Sequence, residues 1–250
     1  MTDSVGVAGG ADLLDSGQRI FGSDLVVAVL RVGQDEVSSC TWPEPVAKAR
    51  LYEILKRFLD IVGGVAGLVI LSPLILVVAL ITKLTDNGLV LYRHSRVGLR
   101  GQEFTCYKFR TMVPDADETK SDIQHNNHHN DDRTFKIPDD PRVTTFGRWL
   151  RRTSIDEVPQ LWNVVKGDMS LVGPRPPIPE EVERYTPADM GRLRVKPGLT
   201  CIWQVSGRSE LSFPIQLHLD LEYIEMRSLW LDLKLILLTI PAVLTARGAY

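Results

Sequence analysis

Asp156 and Glu157 stand side by side in the stretch FGRWLRRTSIDEVPQLWNVVK, residues 146–166. Arg148, Arg151 and Arg152 come just before them, and Arg175 follows in GPRP at 173–176. Adjacent carboxylates among guanidiniums suit phosphate chemistry. Arginine grips phosphate oxygens through paired N–H donors, and carboxylates hold Mg²⁺ against a pyrophosphate. A carboxylate can also attack phosphorus itself, splitting one difficult displacement into two. Residues 154–157 also read as a capping box, in which the acids do no more than close a helix end. At this level both readings stand.

The elements that must carry these groups are partly legible. Val158, Leu161, Trp162 and Val165 recur at helical spacing, which predicts a helix over 157–166 with Gly167 as its stop. Pro159 is tolerated in a first turn, where N–H groups lack intrahelical partners. The acids then lie at a helix N-terminus, whose dipole would keep an attacking carboxylate ionised. Upstream, residues 89–92 and 104–109 are β-prone, separated by a turn marked by Gly98 and Gly101. Downstream, RVKPGLTCIWQVSGR at 194–208 reads as a turn at Pro197 and Gly198 and a strand over 199–205, with Arg208 in reach of an anion. Residues 114–141 are a polar excursion. Its His125, His128 and His129 read as loop residues, because nothing nearby orients their rings as ligands.

Residues 61–82 carry no charge. At about 1.5 Å per residue such a run could cross a hydrocarbon core of roughly 30 Å. Two features argue for re-entry instead. Lys48, Arg50, Lys56 and Arg57 precede the run, and Lys83, Arg93, Arg96 and Arg100 follow it, so both flanks are basic. A spanning helix concentrates Lys and Arg on one side. Ser72-Pro73 breaks the run near its middle, and Ser72 is placed to satisfy a carbonyl that proline frees. The basic flanks would gain roughly 1 kcal/mol per residue near anionic lipid. A second apolar stretch, LWLDLKLILLTIPAVL at 229–244, is interrupted by Asp232 and Lys234 and reads as a helix lying at the interface.

Composition excludes several classes. With 29 Lys and Arg against 31 Asp and Glu, the formal net charge is −2, which argues against a strongly basic nucleic-acid binder. Three scattered cysteines form no CxxC pair, so zinc-ribbon, thioredoxin-like and disulfide-stapled classes lack support. GxGxxG, P-loop, GxSxG and HExxH motifs are absent. The domains read as a tail at 1–50 without assigned function, a membrane segment at 51–85 that either spans or re-enters, and a further domain at 86–250.

From Lys56 to Tyr250 the chain resembles the bacterial sugar transferase family of monotopic phosphoglycosyl transferases. The resemblance rests on the Ser72-Pro73 hairpin, KFRTM at 108–112, DPR at 140–142, TSIDEVPQ at 153–160 and GDMSLVGPRP at 167–176. It continues through WQVSGR at 203–208, SLWLD at 228–232 and GAY at 248–250, the last similar to members that start exopolysaccharide synthesis. The resemblance implies an α/β, largely helical fold with a re-entrant hairpin at 51–85, a catalytic domain at 86–250 and interfacial amphipathic helices, on the cytoplasmic face of a bacterial inner membrane. It implies transfer of a sugar 1-phosphate from a UDP-sugar to undecaprenyl phosphate, with release of UMP. Asp156 matches the family nucleophile and Glu157 its partner. Asp156, Glu157 and Asp232 are implied Mg²⁺ ligands, and Lys108, Arg110, Arg151, Arg175 and Arg208 implied substrate contacts. Cys201 departs from the glycine of many members. A homodimer through apolar contacts is compatible with the composition. Two rivals remain at this level: a membrane scaffold whose acids only cap, and a nucleotide-sugar pyrophosphatase with water as acceptor.

Overall fold

The computed structural model describes residues 47–86, 88–113, 116, 140–206 and 211–245. The tail before residue 47, the histidines of the polar excursion, Arg208 and the last five residues lie outside this set.

The apolar run forms one helix, α1 (Ala47–Asp86), with Pro73 inside it. Proline at 73 removes the N–H that would bond to the carbonyl of Val69. The Ser72 hydroxyl donates to that carbonyl at 2.7 Å, as the sequence suggested. Helical hydrogen bonding therefore carries through the break. Along α1 one face, at Leu51, Ile54, Phe58, Val62, Val65 and Val69, is apolar and exposed. The opposite face holds small residues. A Cβ on Gly64 would come within 2.9 Å of Val165, and one on Gly67 within 3.0 Å of Leu161, so these glycines let α1 lie close against the catalytic layer.

Polar residues near the start of α1 turn into the protein. The Arg57 guanidinium donates to the carbonyls of Val164 and Val165 at 2.6 Å each. Asp60 accepts from the Ser170 hydroxyl and the Leu171 N–H. Lys56 is buried against Asp232. Two of the basic residues expected to meet lipid headgroups are thus engaged inside the fold.

A hairpin follows. Strands β1 (Leu91–Val97) and β2 (Glu103–Phe109) pair antiparallel, with Tyr92 opposite Lys108, His94 opposite Cys106 and Arg96 opposite Phe104. Helix α2 (Thr145–Arg152) is capped by the Thr144 hydroxyl, which accepts from the Gly147 N–H. A 3₁₀ turn (Ile155–Glu157) and helix α3 (Gln160–Lys166) come next. Gly167 ends α3 at φ 103°, as expected, and its N–H bonds back to the Asn163 carbonyl.

Short parallel strands β3 (Ser170–Val172) and β4 (Gly198–Thr200) flank helix α4 (Pro179–Val182) and a 3₁₀ segment (Asp189–Arg194). Helices α5 (Ile202–Ser206), α6 (Phe213–Met226) and α7 (Leu229–Thr245) complete the described chain. The strand expected over 199–205 ends at Thr200, because Cys201, Ile202 and Trp203 are buried consecutively and a helical turn packs them with Leu219, Tyr223 and Leu235. A short apolar run does not separate strand from buried helix by periodicity. Among the described residues the fold is mostly helical with two small sheets. On α7, Trp230, Leu233, Leu237 and Ile240 form an exposed apolar stripe while Asp232 and Leu235 are buried, which is the pattern of a helix lying along an interface.

Candidate active site

Asp156 and Glu157 sit on the 3₁₀ turn ahead of α3, not in the first turn of a continuous helix. Ser154 adopts a left-handed conformation (φ 55°), and its side chain makes no capping bond. The capping box read from the sequence does not form. Instead the turn aims both acids at β2, where Lys108 projects from the opposite wall.

Lys108 Nζ lies 2.6 Å from Glu157 Oε1 and 3.9 Å from Asp156 Oδ2. Asp156 is 7% exposed. Burial pushes its carboxyl up, Lys108 pulls it back, and Glu157 adds to the rise, so the net shift is upward. Burial would raise Glu157 too, but Lys108 and Arg175 outweigh it and hold this carboxyl well below the usual range. The adjacent acids are thus pushed apart: one stays a firm anion, the other is a more basic carboxylate. Burial is the largest influence on the Asp156 carboxyl, and it works against the ionised form.

The pair opens into a cavity of about 1030 Å³. Lys108, Arg110, Arg151 and Arg175 all line it. Arg151 Nε donates to the Thr111 hydroxyl at 2.9 Å, and its charge favours ionised Asp156. The far wall is apolar: Gly67, Ile70 and Leu71 of α1 face Ile236 and Ile240 of α7. A charged floor therefore adjoins a hydrophobic flank.

Asp232, implied as a ligand by the resemblance, is bonded to residues other than the acidic pair. Its Oδ2 accepts from Tyr52 and Lys56, both at 2.9 Å, and its Oδ1 from Tyr223 at 2.7 Å. With both oxygens occupied by protein donors, this carboxylate ties α1, α6 and α7 together. Among the described residues no group of three or more His, Cys, Asp or Glu is arranged to hold a metal.

Sequence reasoning missed three arginines of the cavity. Arg96 lies on the same hairpin face as Tyr92, His94, Cys106 and Lys108, and strict alternation along β1 was the signal that could have found it. Arg142 is held by a bidentate pair with Asp140 (2.9 and 2.6 Å) and was seen only as part of a motif. Arg192, buried against Asp220 at 2.6 Å, carried no signal.

The bacterial sugar transferase family profile matches residues 51–246, spanning α1, the acidic pair and α7. The chain belongs to the bacterial sugar transferase family. As a member it is a phosphoglycosyl transferase, which sets aside the scaffold and pyrophosphatase readings. It is 42% identical over 198 residues to the exopolysaccharide production protein ExoY of Rhizobium meliloti, covering 78% of this chain and 88% of that one. It is 43% identical over 205 residues to the undecaprenyl-phosphate galactose phosphotransferase of Salmonella typhimurium, covering 80% of this chain and 43% of that one. It is 42% identical over 200 residues to the UDP-galactose-lipid carrier transferase of Erwinia amylovora, covering 78% of this chain and 42% of that one. Against the last two, the sugar transferase spans less than half of the relative's length.

Proposed function

We propose that this sugar transferase moves a sugar 1-phosphate from a UDP-sugar to undecaprenyl phosphate, releases UMP, and so begins exopolysaccharide assembly at the cytoplasmic face of the inner membrane. The observation that carries the reading is Lys108 between two adjacent carboxylates, in a cavity with one cationic and one apolar wall. The names of two relatives, an undecaprenyl-phosphate galactose phosphotransferase and a UDP-galactose-lipid carrier transferase, suggest the donor and acceptor classes.

Asp156 is the nucleophile. Its raised basicity favours bond formation to phosphorus, and Lys108 and Arg151 counter the charge of the phosphate it approaches. Glu157, kept ionised, anchors Lys108 in place. The two carboxylates also fit Mg²⁺, which commonly takes one or two protein carboxylates and completes its shell with waters and substrate phosphate. Asp156 and Glu157 would hold it, and it would neutralise phosphate charge. Asp232 has no part in that set.

The bilayer is the partner of the exposed apolar faces of α1 and α7. The segment Arg50–Thr85 is long and apolar enough to enter a membrane. Its two halves pack on the same catalytic layer: Lys56 meets Asp232, and Val78 packs with Phe109 and Leu150. Contacts at both ends of α1 favour entry and exit by one face, with the Ser72-Pro73 break as the deepest point. The acceptor phosphate then lies at headgroup height beside Asp156 while its tail stays in lipid.

The test is a reconstitution with UDP-sugars, with and without undecaprenyl phosphate. Sustained UMP release that depends on the lipid supports the reading. Sustained release without lipid, or none with both substrates across a panel of UDP-sugars, ends it.

A further inference from the structure

Arg96 and Arg175 form a second cationic pole in the cavity. Arg96 comes from β1, on the hairpin face it shares with Lys108, and its Nη1 donates to the Pro176 carbonyl at 2.9 Å. That bond holds β1 against the 173–176 segment, and Arg96 and Arg175 line one recess together. Among the described residues neither arginine has a carboxylate within ion-pair distance, whereas Lys108 is engaged by Glu157 at 2.6 Å. Two guanidiniums at close quarters in a desolvated corner repel each other, and an anion between them relieves that repulsion. Burial and the charge of Arg175 both act against the Arg96 cation, which fits a site completed by a bound anion.

The position of this pole selects which anion. Arg96, Arg175, Lys108 and Glu157 line one recess of the site, and neither Asp156 nor Arg151 is part of that lining. Lys108 and Glu157 therefore stand between the nucleophile and the Arg96–Arg175 pole. In an in-line displacement the leaving oxygen departs opposite the attacking one. Asp156 Oδ forms a bond to the sugar-bearing phosphorus, the bond from that phosphorus to the bridging oxygen breaks, and the electron pair leaves on the nucleoside monophosphate.

We infer that Arg96, with Arg175, binds the phosphate that departs with the nucleoside and stabilises the charge that develops on it. This assignment rests on the donor reading proposed above. It makes Arg96 a substrate-binding residue that acts on both donor affinity and the chemical step, because the leaving phosphate gains negative charge as the bond breaks.

The test measures formation of labelled lipid-linked sugar by the full chain in membranes, with UMP and uridine as inhibitors. Arg96→Gln keeps an N–H donor for the Pro176 carbonyl but removes the charge. It is expected to lower kcat at least tenfold and weaken inhibition by UMP at least tenfold, with inhibition by uridine unchanged. Arg96→Lys is expected to restore part of both, since it returns the charge without the planar fork. Equal weakening of UMP and uridine, in Arg96→Gln and Arg96→Lys alike, would assign Arg96 to holding the 173–176 segment and overturn the inference. Unchanged UMP inhibition would overturn it as well, with the donor reading intact. A wild type that makes no labelled lipid overturns the donor reading and this inference with it.

Discussion

The hydroxyl of Ser72 donates to the carbonyl of Val69 at 2.7 Å, the one carbonyl in α1 that Pro73 deprives of its backbone partner. In lipid there is no water to take that role, so the two residues work as a unit. Ser72→Ala should leave the carbonyl unsatisfied at a cost of about 1–3 kcal/mol. Pro73→Ala returns the N–H and makes the hydroxyl dispensable. Activity should therefore fall in Ser72→Ala. With Pro73→Ala already present, adding Ser72→Ala should change little. The wild-type protein, tagged before residue 47 and after residue 250, should label from one side of the membrane; labelling from opposite sides would refute the re-entrant reading of α1.

Asp232 gives a second prediction, because its geometry and its family resemblance point to different roles. Both its oxygens are taken by Tyr52, Lys56 and Tyr223. Removing one partner of a buried ion pair costs about 3–5 kcal/mol, since the other charge is left uncompensated. Lys56→Met should lower thermal stability sharply, and Lys56→Met with Asp232→Asn should recover part of the loss. Asp232→Asn should leave the Mg²⁺ concentration for half-maximal activity unchanged in protein that remains folded. A large rise in that concentration would return Asp232 to the metal.

Much of this site was readable because its chemistry is local in sequence. Asp156 and Glu157 are neighbours, and the β-prone pattern over 104–109 gives a strand that bears Lys108. Gly167 marked its helix end correctly. What escaped depended on tertiary contacts. The Ser154 backbone turns left-handed, which spoils the cap and moves the acids onto a 3₁₀ turn. Arg57 resembled a lipid-facing charge until the C-terminal end of α3 supplied its acceptors. The segment after Thr200 becomes helical because Trp203 must reach Asp220, which accepts its indole N–H at 3.1 Å.

The Asp140–Arg142 pair makes stability depend on pH in a defined direction. Burial alone would raise the Asp140 carboxyl; its hydrogen bonds and ion pair with Arg142 outweigh that and hold it below the usual carboxylate range. A carboxyl depressed in the folded state contributes stability that is complete above its unfolded pKa, about 3.9, and is lost as pH falls through the folded value. Asp140→Asn should therefore be less stable than wild type at pH 7, by about 1.5–3 kcal/mol for lost charged hydrogen bonds. The gap should narrow below about pH 4. Denaturant midpoints taken between neutral and acid pH check it, and a gap that widens on acidification would contradict the pairing.

The last prediction concerns Asp156 itself. If this carboxylate attacks phosphorus, the reaction runs in two halves, and kinetics should be ping-pong with respect to the sugar donor and the lipid phosphate. Asp156→Asn keeps the size of the buried side chain and removes the anionic oxygen beside Lys108. Its fold should survive, because Glu157 remains as the close partner of Lys108 at 2.6 Å. Turnover should drop by at least a thousandfold. Incubation with a UDP-sugar labelled in the β-phosphate, without lipid acceptor, should leave label on the wild-type chain at Asp156 and none on Asp156→Asn. Adding undecaprenyl phosphate should then discharge the label into lipid. A purely structural role predicts the opposite pattern, with lowered stability, retained turnover and no covalent label. Label on Glu157 in place of Asp156 would exchange the roles of the two acids, at odds with the strong hold that Lys108 and Arg175 exert on Glu157.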